Sequence, residues 1–347
     1  MLLAMASGYG GRAFSFIPVI SNRTFRMKRP IFLLFAFAAL FFSTASAQTI
    51  IELKPGGRVR SKTADDYRRE NGTADKAQAD SLLYADNLRR AFTALGTDSL
   101  TEAERLFNEC LKLRPEGAGN FVLRYNLALI RMARGQMSDA VSLLTQVVEE
   151  RPDYDEARLK RAEANLQLGR ATEALRDAES ILSPANDYRT TPDDLPVKLK
   201  ARFVKAAAHY AMRLYAEART DLVNLLRLEP QNENALVMEA LCLHHLGQPK
   251  EALNRLNFIV AAHPDNLDAL STRAQVECYL QLFTLAKGDY DLLVEKQPSQ
   301  AEWLVERART LISLDEKQAA RRDLDKAVSM GMPMGMVQAL YNLTRKK

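Results

Sequence analysis

Alanines at Ala206, Ala240, Ala274 and Ala308 recur at one fixed step of thirty-four positions, and Ala218, Ala252, Ala286 and Ala320 keep the same step twelve positions behind them. Pro230, Pro264 and Pro298 close the intervals at the same spacing. No single compact core imposes such a beat. A fixed period of this length marks one supersecondary unit stacked on copies of itself, because each copy buries its apolar face only against its neighbours. The stretch therefore predicts four units: Leu199–Pro230, Glu233–Pro264, Leu267–Pro298 and Ala301–Met332.

The same pattern extends towards the amino terminus. Ala128 and Ala140, then Ala162 and Ala174, repeat the twelve-position offset in units Phe121–Pro152 and Asp155–Ser183. From Ala174 to Ala218 is forty-four positions, so ten extra residues have entered the phase. They belong to residues 184–197, where Pro184, Asn186, Asp187, Pro192, Asp193, Asp194 and Pro196 read as a surface loop. Ahead of these units, Leu82, Leu88, Phe92 and Leu95 form an apolar stripe ending at Gly96, and a second helix runs from Thr101 to Leu113. That is a first, looser hairpin with a lengthened turn, so residues 82–183 hold units one to three and 199–332 units four to seven. In residues 333–347, Val337, Leu340, Tyr341 and Thr344 form one face of a final capping helix before a basic tail.

Small residues on both helices of a hairpin set where the two approach closely, and Leu, Phe and Tyr around them fill the layers against the next hairpin. In the second unit the skeleton is Leu127, Ala128, Gly135, Ala140, Leu144 and Pro152; in the fifth it is Ala240, Gly247, Ala252, Leu256 and Pro264. The sixth has Ala274, Ala286, Tyr290 and Pro298, with Gln281 where Gly is usual. This skeleton resembles the tetratricopeptide repeat family over residues 82–332. The resemblance implies an all-α fold, a right-handed superhelical solenoid of antiparallel helical hairpins. Arg161, Lys205, Glu239, Arg273 and Arg307 stand where the family has a large apolar residue, which makes those units degenerate.

Residues 1–47 read as a leader. Met27-Lys28-Arg29, the apolar run Ile31–Phe42 and Ala45-Ser46-Ala47 are the three regions of a secretory signal peptide, with Met27 a candidate start and cleavage expected after Ala47. The apolar run falls well short of the roughly 20 residues a spanning helix needs, so no membrane span is expected after cleavage. The leader holds five basic and no acidic residues; without it 43 basic residues face 43 acidic ones. That balance gives no support to nucleic-acid binding. An exported chain, periplasmic or at the surface of a bacterial cell, is the expectation. Residues 48–80 read as an extended polar arm, and Cys110, Cys242 and Cys278 as small hydrophobes on helices.

No Gly-rich phosphate loop, nucleophile elbow or zinc-protease pair is present, so no catalytic residue and no cofactor is assigned. His244 and His245 are sequence neighbours whose helical directions differ by about 100°, so they do not converge on one ion and no metal is assigned. Trp303 is read as packing the end of the array.

The family resemblance implies a concave groove lined by the first helix of each unit, taking a protein or peptide segment. Carried onto this sequence, those positions are Val122, Tyr125, Leu129 and Met132; Leu159 and Glu163; Phe203, Ala207 and Tyr210; Val237, Leu241 and His244; Ser271, Gln275 and Tyr279; and Val305, Arg309 and Ile312. The same side chains could equally support neighbouring helices. A chaperone-type carboxylate clamp is disfavoured, because Asp86 and Glu156 stand where Lys or Asn would be needed. Two readings follow. One is an exported, non-catalytic binding scaffold, in its narrower form a component of a bacterial envelope assembly or secretion complex. The other is a spacer whose groove is filled by its own arm. The oligomeric state is left open.

Overall fold

The computed structural model describes residues 76–183 and 195–345. The leader, residues 48–75 of the arm, residues 184–194 of the inserted loop and the last two residues lie outside them. The described residues form fifteen helices and no strand.

The chain divides into two compact units, Met1–Thr191 and Pro192–Lys347. In the first, the helices are α1 (Lys76–Gly96), α2 (Leu100–Leu113), α3 (Asn120–Ala133), α4 (Met137–Glu150), α5 (Asp155–Gln167) and α6 (Ala171–Ile181). They pack as the hairpins α1/α2, α3/α4 and α5/α6, each stacked on the next through α2 against α3 and α4 against α5.

The second unit holds α7 (Leu195–Ala211), α8 (Tyr215–Leu228), α9 (Glu233–His245), α10 (Pro249–Ala262), α11 (Leu267–Tyr279), α12 (Phe283–Lys296), α13 (Ala301–Ser313), α14 (Lys317–Ser329) and α15 (Met334–Thr344). Four hairpins stack in order, and α15 lies against both α13 and α14. Val337, Leu340 and Thr344 of α15 are buried there.

Two boundaries differ from the sequence reading. Helix α1 starts at Lys76, so the last residues assigned to the arm are helical, and α7 starts at Leu195 rather than Leu199. Pro196 sits in the first turn of α7, where its missing N–H costs nothing.

All twelve repeat alanines have zero exposure, as the close crossing requires. A further pair, Ala91 and Ala103, has the same offset between its members and is equally buried. It stands three positions too far ahead of Ala128 and Ala140 for the common step, the extra residues lying in the connection between α2 and α3.

Each hairpin turns through one residue in the left-handed region. Gly135, Gly169 and Gly247 have φ of 73°, 74° and 79°, while Asp98, Arg213, Gln281 and Asp315 occupy the equivalent place at 56°, 64°, 62° and 59°. The next N–H donates back to the carbonyl five residues earlier, Gln136 to Arg131 and Leu282 to Glu277 among them, both at 2.8 Å. This is a Schellman closure, which settles the last free carbonyls of the first helix.

The positions that look degenerate in sequence carry an organised ionic ladder. Arg161 grips Asp177 at 2.9 and 2.7 Å, Arg273 grips Asp289 at 2.7 and 2.6 Å, and Arg307 grips Asp323 at 2.8 Å through two nitrogens. Each pair has the same separation of sixteen positions and joins the two helices of one hairpin. The remaining guanidinium nitrogen reaches the second helix of the preceding hairpin: Thr145 at 3.4 Å, Asn257 at 3.2 Å and Asp291 at 2.8 Å. Lys205 keeps the scheme with Asp221 at 3.4 Å, and Glu239 inverts it, lying between Arg255 and Arg219 at 3.6 and 3.7 Å. Leu127 and Leu143 hold the same two places in the second hairpin. The large apolar residue has been exchanged for a cross-hairpin pair, and the hairpin is intact.

Candidate functional site

The residues expected to line the groove fall into two groups. Tyr125, Met132 and Leu159 in the first unit are buried, as are Phe203, Ala207, Val237, Leu241, Ser271 and Val305 in the second. Tyr125 and Met132 pack in the core that includes Ala140 and Leu144, Val237 in that of Ala252 and Leu256, and Val305 in that of Ala320 and Leu324. Tyr125 lies 5.1 Å from the ring of Tyr154, and burial raises the pKa of its hydroxyl. Glu163 is also buried, accepting from Lys160 Nζ at 2.8 Å. Asp86 is likewise buried and accepts from Arg89 at 2.6 Å.

The second group presents surface. Val122, Leu129, Tyr210, His244 and Ile312 are half-buried, and Gln275, Tyr279 and Arg309 are exposed. In the unit Pro192–Lys347 part of this group belongs to a continuous aromatic ladder. The Tyr210 hydroxyl lies 3.0 Å from His245 Nε2, and the His245 ring stacks on Tyr215 at 4.4 Å with 10° between planes. His244 is 5.3 Å from His245, and Tyr279 meets His244 edge-on at 4.8 Å. Five rings from α7, α8, α9 and α11 thus follow one another.

The rings of this ladder are themselves uncharged, with Arg213 beside Tyr215 and His245. Desolvation of the His245 ring among its aromatic neighbours, with help from His244 and Arg213, pushes its pKa down to about 4; burial also lowers that of His244. Both imidazoles are therefore neutral at pH 7 and act as hydrogen-bonding aromatic rings. Tyr215 and His245 had no place among the sequence-predicted groove residues. A signal for His245 existed, since it stands one full repeat before Tyr279.

Nothing in this arrangement pairs a nucleophile with a base. Burial pushes the thiols of Cys110 and Cys242 up to about 11 and about 12, and Cys278 Sγ lies 3.4 Å from Thr310 Oγ1 with its thiol raised to about 11. Such thiols are poor nucleophiles. Trp303 packs partly buried against the core around α11 and α12, its indole N–H donating to Gln297 Oε1 at 2.8 Å. Among the described residues no group of three His, Cys, Asp or Glu side chains could hold a metal ion, and no helix is long and apolar enough to cross a membrane.

Two family profiles, each described as tetratricopeptide repeat, match residues 125–188 and 209–276, one in each half of the array. The chain is a tetratricopeptide repeat protein. Among solved structures, a tetratricopeptide repeat protein from Parabacteroides merdae superposes with a TM-score of 0.63 at 19% identity, over 75% of this chain and 98% of that one. A chain of the APC/C hetero-tetramer Cut9–Hcn1 aligns at 0.56 and 12% identity, covering 81% of this chain and 58% of that one. At such identities the likeness concerns the repeat fold alone. Among curated sequences, DnaJ homolog subfamily C member 3 from Rattus norvegicus is 26% identical over 180 residues, 50% of this chain and 35% of the relative. The Mus musculus protein of the same name is 24% identical over 209 residues, 57% and 38%. The tetratricopeptide repeat chain thus spans about a third of the length of the curated relatives it matches.

Proposed function

We propose that this tetratricopeptide repeat protein is an exported, non-catalytic scaffold that captures a segment of a partner protein on the first-helix face of its hairpins. Its place is an assembly or secretion complex of a bacterial envelope. The observation that carries this reading is the division of the groove positions. Gln275, Tyr279 and Arg309 are exposed beside the half-buried Tyr210, His244 and Ile312, with no catalytic constellation competing for the same surface. An uncharged aromatic strip that ends near a cation suits recognition of a peptide better than turnover of a substrate.

Export follows from the leader pattern, Lys28-Arg29 before Ile31–Phe42 and Ala45-Ser46-Ala47. The test is affinity capture from fractionated native cells, with wild type compared against the Gln275→Ala, Tyr279→Ala, Arg309→Ala triple variant. Those side chains are exposed, so the variant keeps its fold. The scaffold reading expects envelope proteins recovered by the wild type and lost by the variant; equal recovery by both would remove the surface from consideration. Sedimentation of the native protein with the cytosolic fraction would remove the export.

A further inference from the structure

Resting on the reading of the first-helix face as a binding surface, we propose that the aromatic ladder of the unit Pro192–Lys347 receives a proline-rich segment in the polyproline II conformation.

The chemistry of the surface fits that occupant in three ways. Tyr210, Tyr215, His244, His245 and Tyr279 offer ring faces and edges, on which pyrrolidine rings pack with little loss of entropy because the ligand is already extended. The polar groups along it carry protons, the Tyr215 and Tyr279 hydroxyls and the Gln275 amide, while the Tyr210 hydroxyl and His245 Nε2 are engaged with each other. A proline-rich strand has carbonyl acceptors and almost no backbone N–H to offer. Charge points the same way. One helical turn before the rings stand Ala207 and Leu241, both buried, and the exposed Gln275, none of them charged, and the neutral histidines add no charge. Arg213 is the charged neighbour of Tyr215 and His245, so a strongly basic peptide is disfavoured there.

The repeat distance adds a register. Polyproline II advances about 3.1 Å per residue with three residues per turn, so each turn covers about 9 Å. Packed helices lie about 8–10 Å apart, and α9 touches α11 directly. His245 and Tyr279 occupy one repeat position on those two helices. One turn of ligand therefore spans one hairpin, and every third residue meets the same kind of side chain. A strand repeats every two residues, about 6.8 Å, and does not keep this step; an α-helix comes near it only at every second turn, about 10.8 Å.

The experiment is a titration of the full chain, labelled on Tyr and His rings, with a capped decaproline, followed by NMR. The expected result is saturable shifts confined to Tyr210, Tyr215, His244, His245 and Tyr279. The double variant Tyr279→Ala, His245→Ala should weaken binding about tenfold or more, and Tyr279→Phe should weaken it less. Unchanged circular dichroism verifies that the exposed sites are tolerated. Absence of ring shifts at millimolar peptide, or equal affinity in the double variant, overturns the assignment, as does preferential binding of a capped helical peptide of equal length. If decaproline fails while the Gln275, Tyr279, Arg309 triple variant still loses its envelope proteins, the polyproline assignment falls and the scaffold stands; if the triple variant also keeps them, both fall.

Discussion

Asp289 takes both oxygens of its carboxylate to the Arg273 guanidinium inside the sixth hairpin, where it is 5% exposed. Removing one member of such a pair strands the other in a poorly solvated site. Asp289→Ala is expected to cost about 3 kcal/mol, measured by urea unfolding. The double replacement Arg273→Leu, Asp289→Leu copies the Leu127 and Leu143 of the second hairpin and should come back close to wild type. If the single and double variants lose equal stability, the ladder is not the unit of design. Beside this pair, Glu277 is buried with Arg273 Nε 4.0 Å away, and burial together with the Asp289 charge raises its pKa to about 7. Its folded pKa exceeds the unfolded value, so the folded state binds the extra proton. Stability is then lost as pH rises from about 4.5 through about 7. Glu277→Gln should flatten the unfolding free energy over that window, and an unchanged pH profile would show that Glu277 does not set it.

The ladder illustrates what the sequence carried and what it hid. Arg161, Arg273 and Arg307 look like failures of an apolar consensus because the eye compares each with its column. The compensating Asp177, Asp289 and Asp323 stand in another column, on the second helix of the same hairpin. A search for co-occurring charges at that offset finds every rung, including the inverted Glu239 and Arg255.

At the level of the element, the hairpin turn demands one residue with positive φ whatever the sequence provides. Gln281 carries a steric penalty there that Gly247 avoids, and open space surrounds the corresponding Gly247 position. Gln281→Gly is expected to gain up to about 1 kcal/mol, the relief of the left-handed strain net of the added freedom of the unfolded chain. A loss of stability would mean that the Gln281 side chain does more than occupy the turn. Periodicity revealed the helices themselves, because alanine spacing is a direct imprint of the crossing points. The first hairpin was only loosely legible, since a three-residue slip moved Ala91 and Ala103 out of phase. The groove was half legible: repeat position shows which face a side chain is on, but burial by the next hairpin decides which side chains remain available. That is why Phe203 and Leu241 proved to be packing residues while Tyr279 stayed exposed.

For the molecule as a whole, two compact units carry separate cores, and damage to one should remain there. Ala252 is fully buried in the core that includes Ala240, Leu256 and Tyr290. Ala252→Phe overpacks that crossing, at a cost of about 1–3 kcal/mol. Hydrogen exchange should then accelerate in α7–α15 and leave α1–α6 protected; uniform acceleration would mean that the chain unfolds as one body. The proposed binding surface follows the same division, since the aromatic ladder lies in the unit Pro192–Lys347. The most direct test of that assignment is site-specific photo-crosslinking in the native host. Probes placed at Gln275 and Arg309 on first helices are compared with probes at Phe258 and Leu292, exposed on second helices. Adducts to a shared partner at 275 and 309, and none at 258 and 292, are what the binding-surface account predicts. Adducts concentrated at 258 and 292 would contradict it.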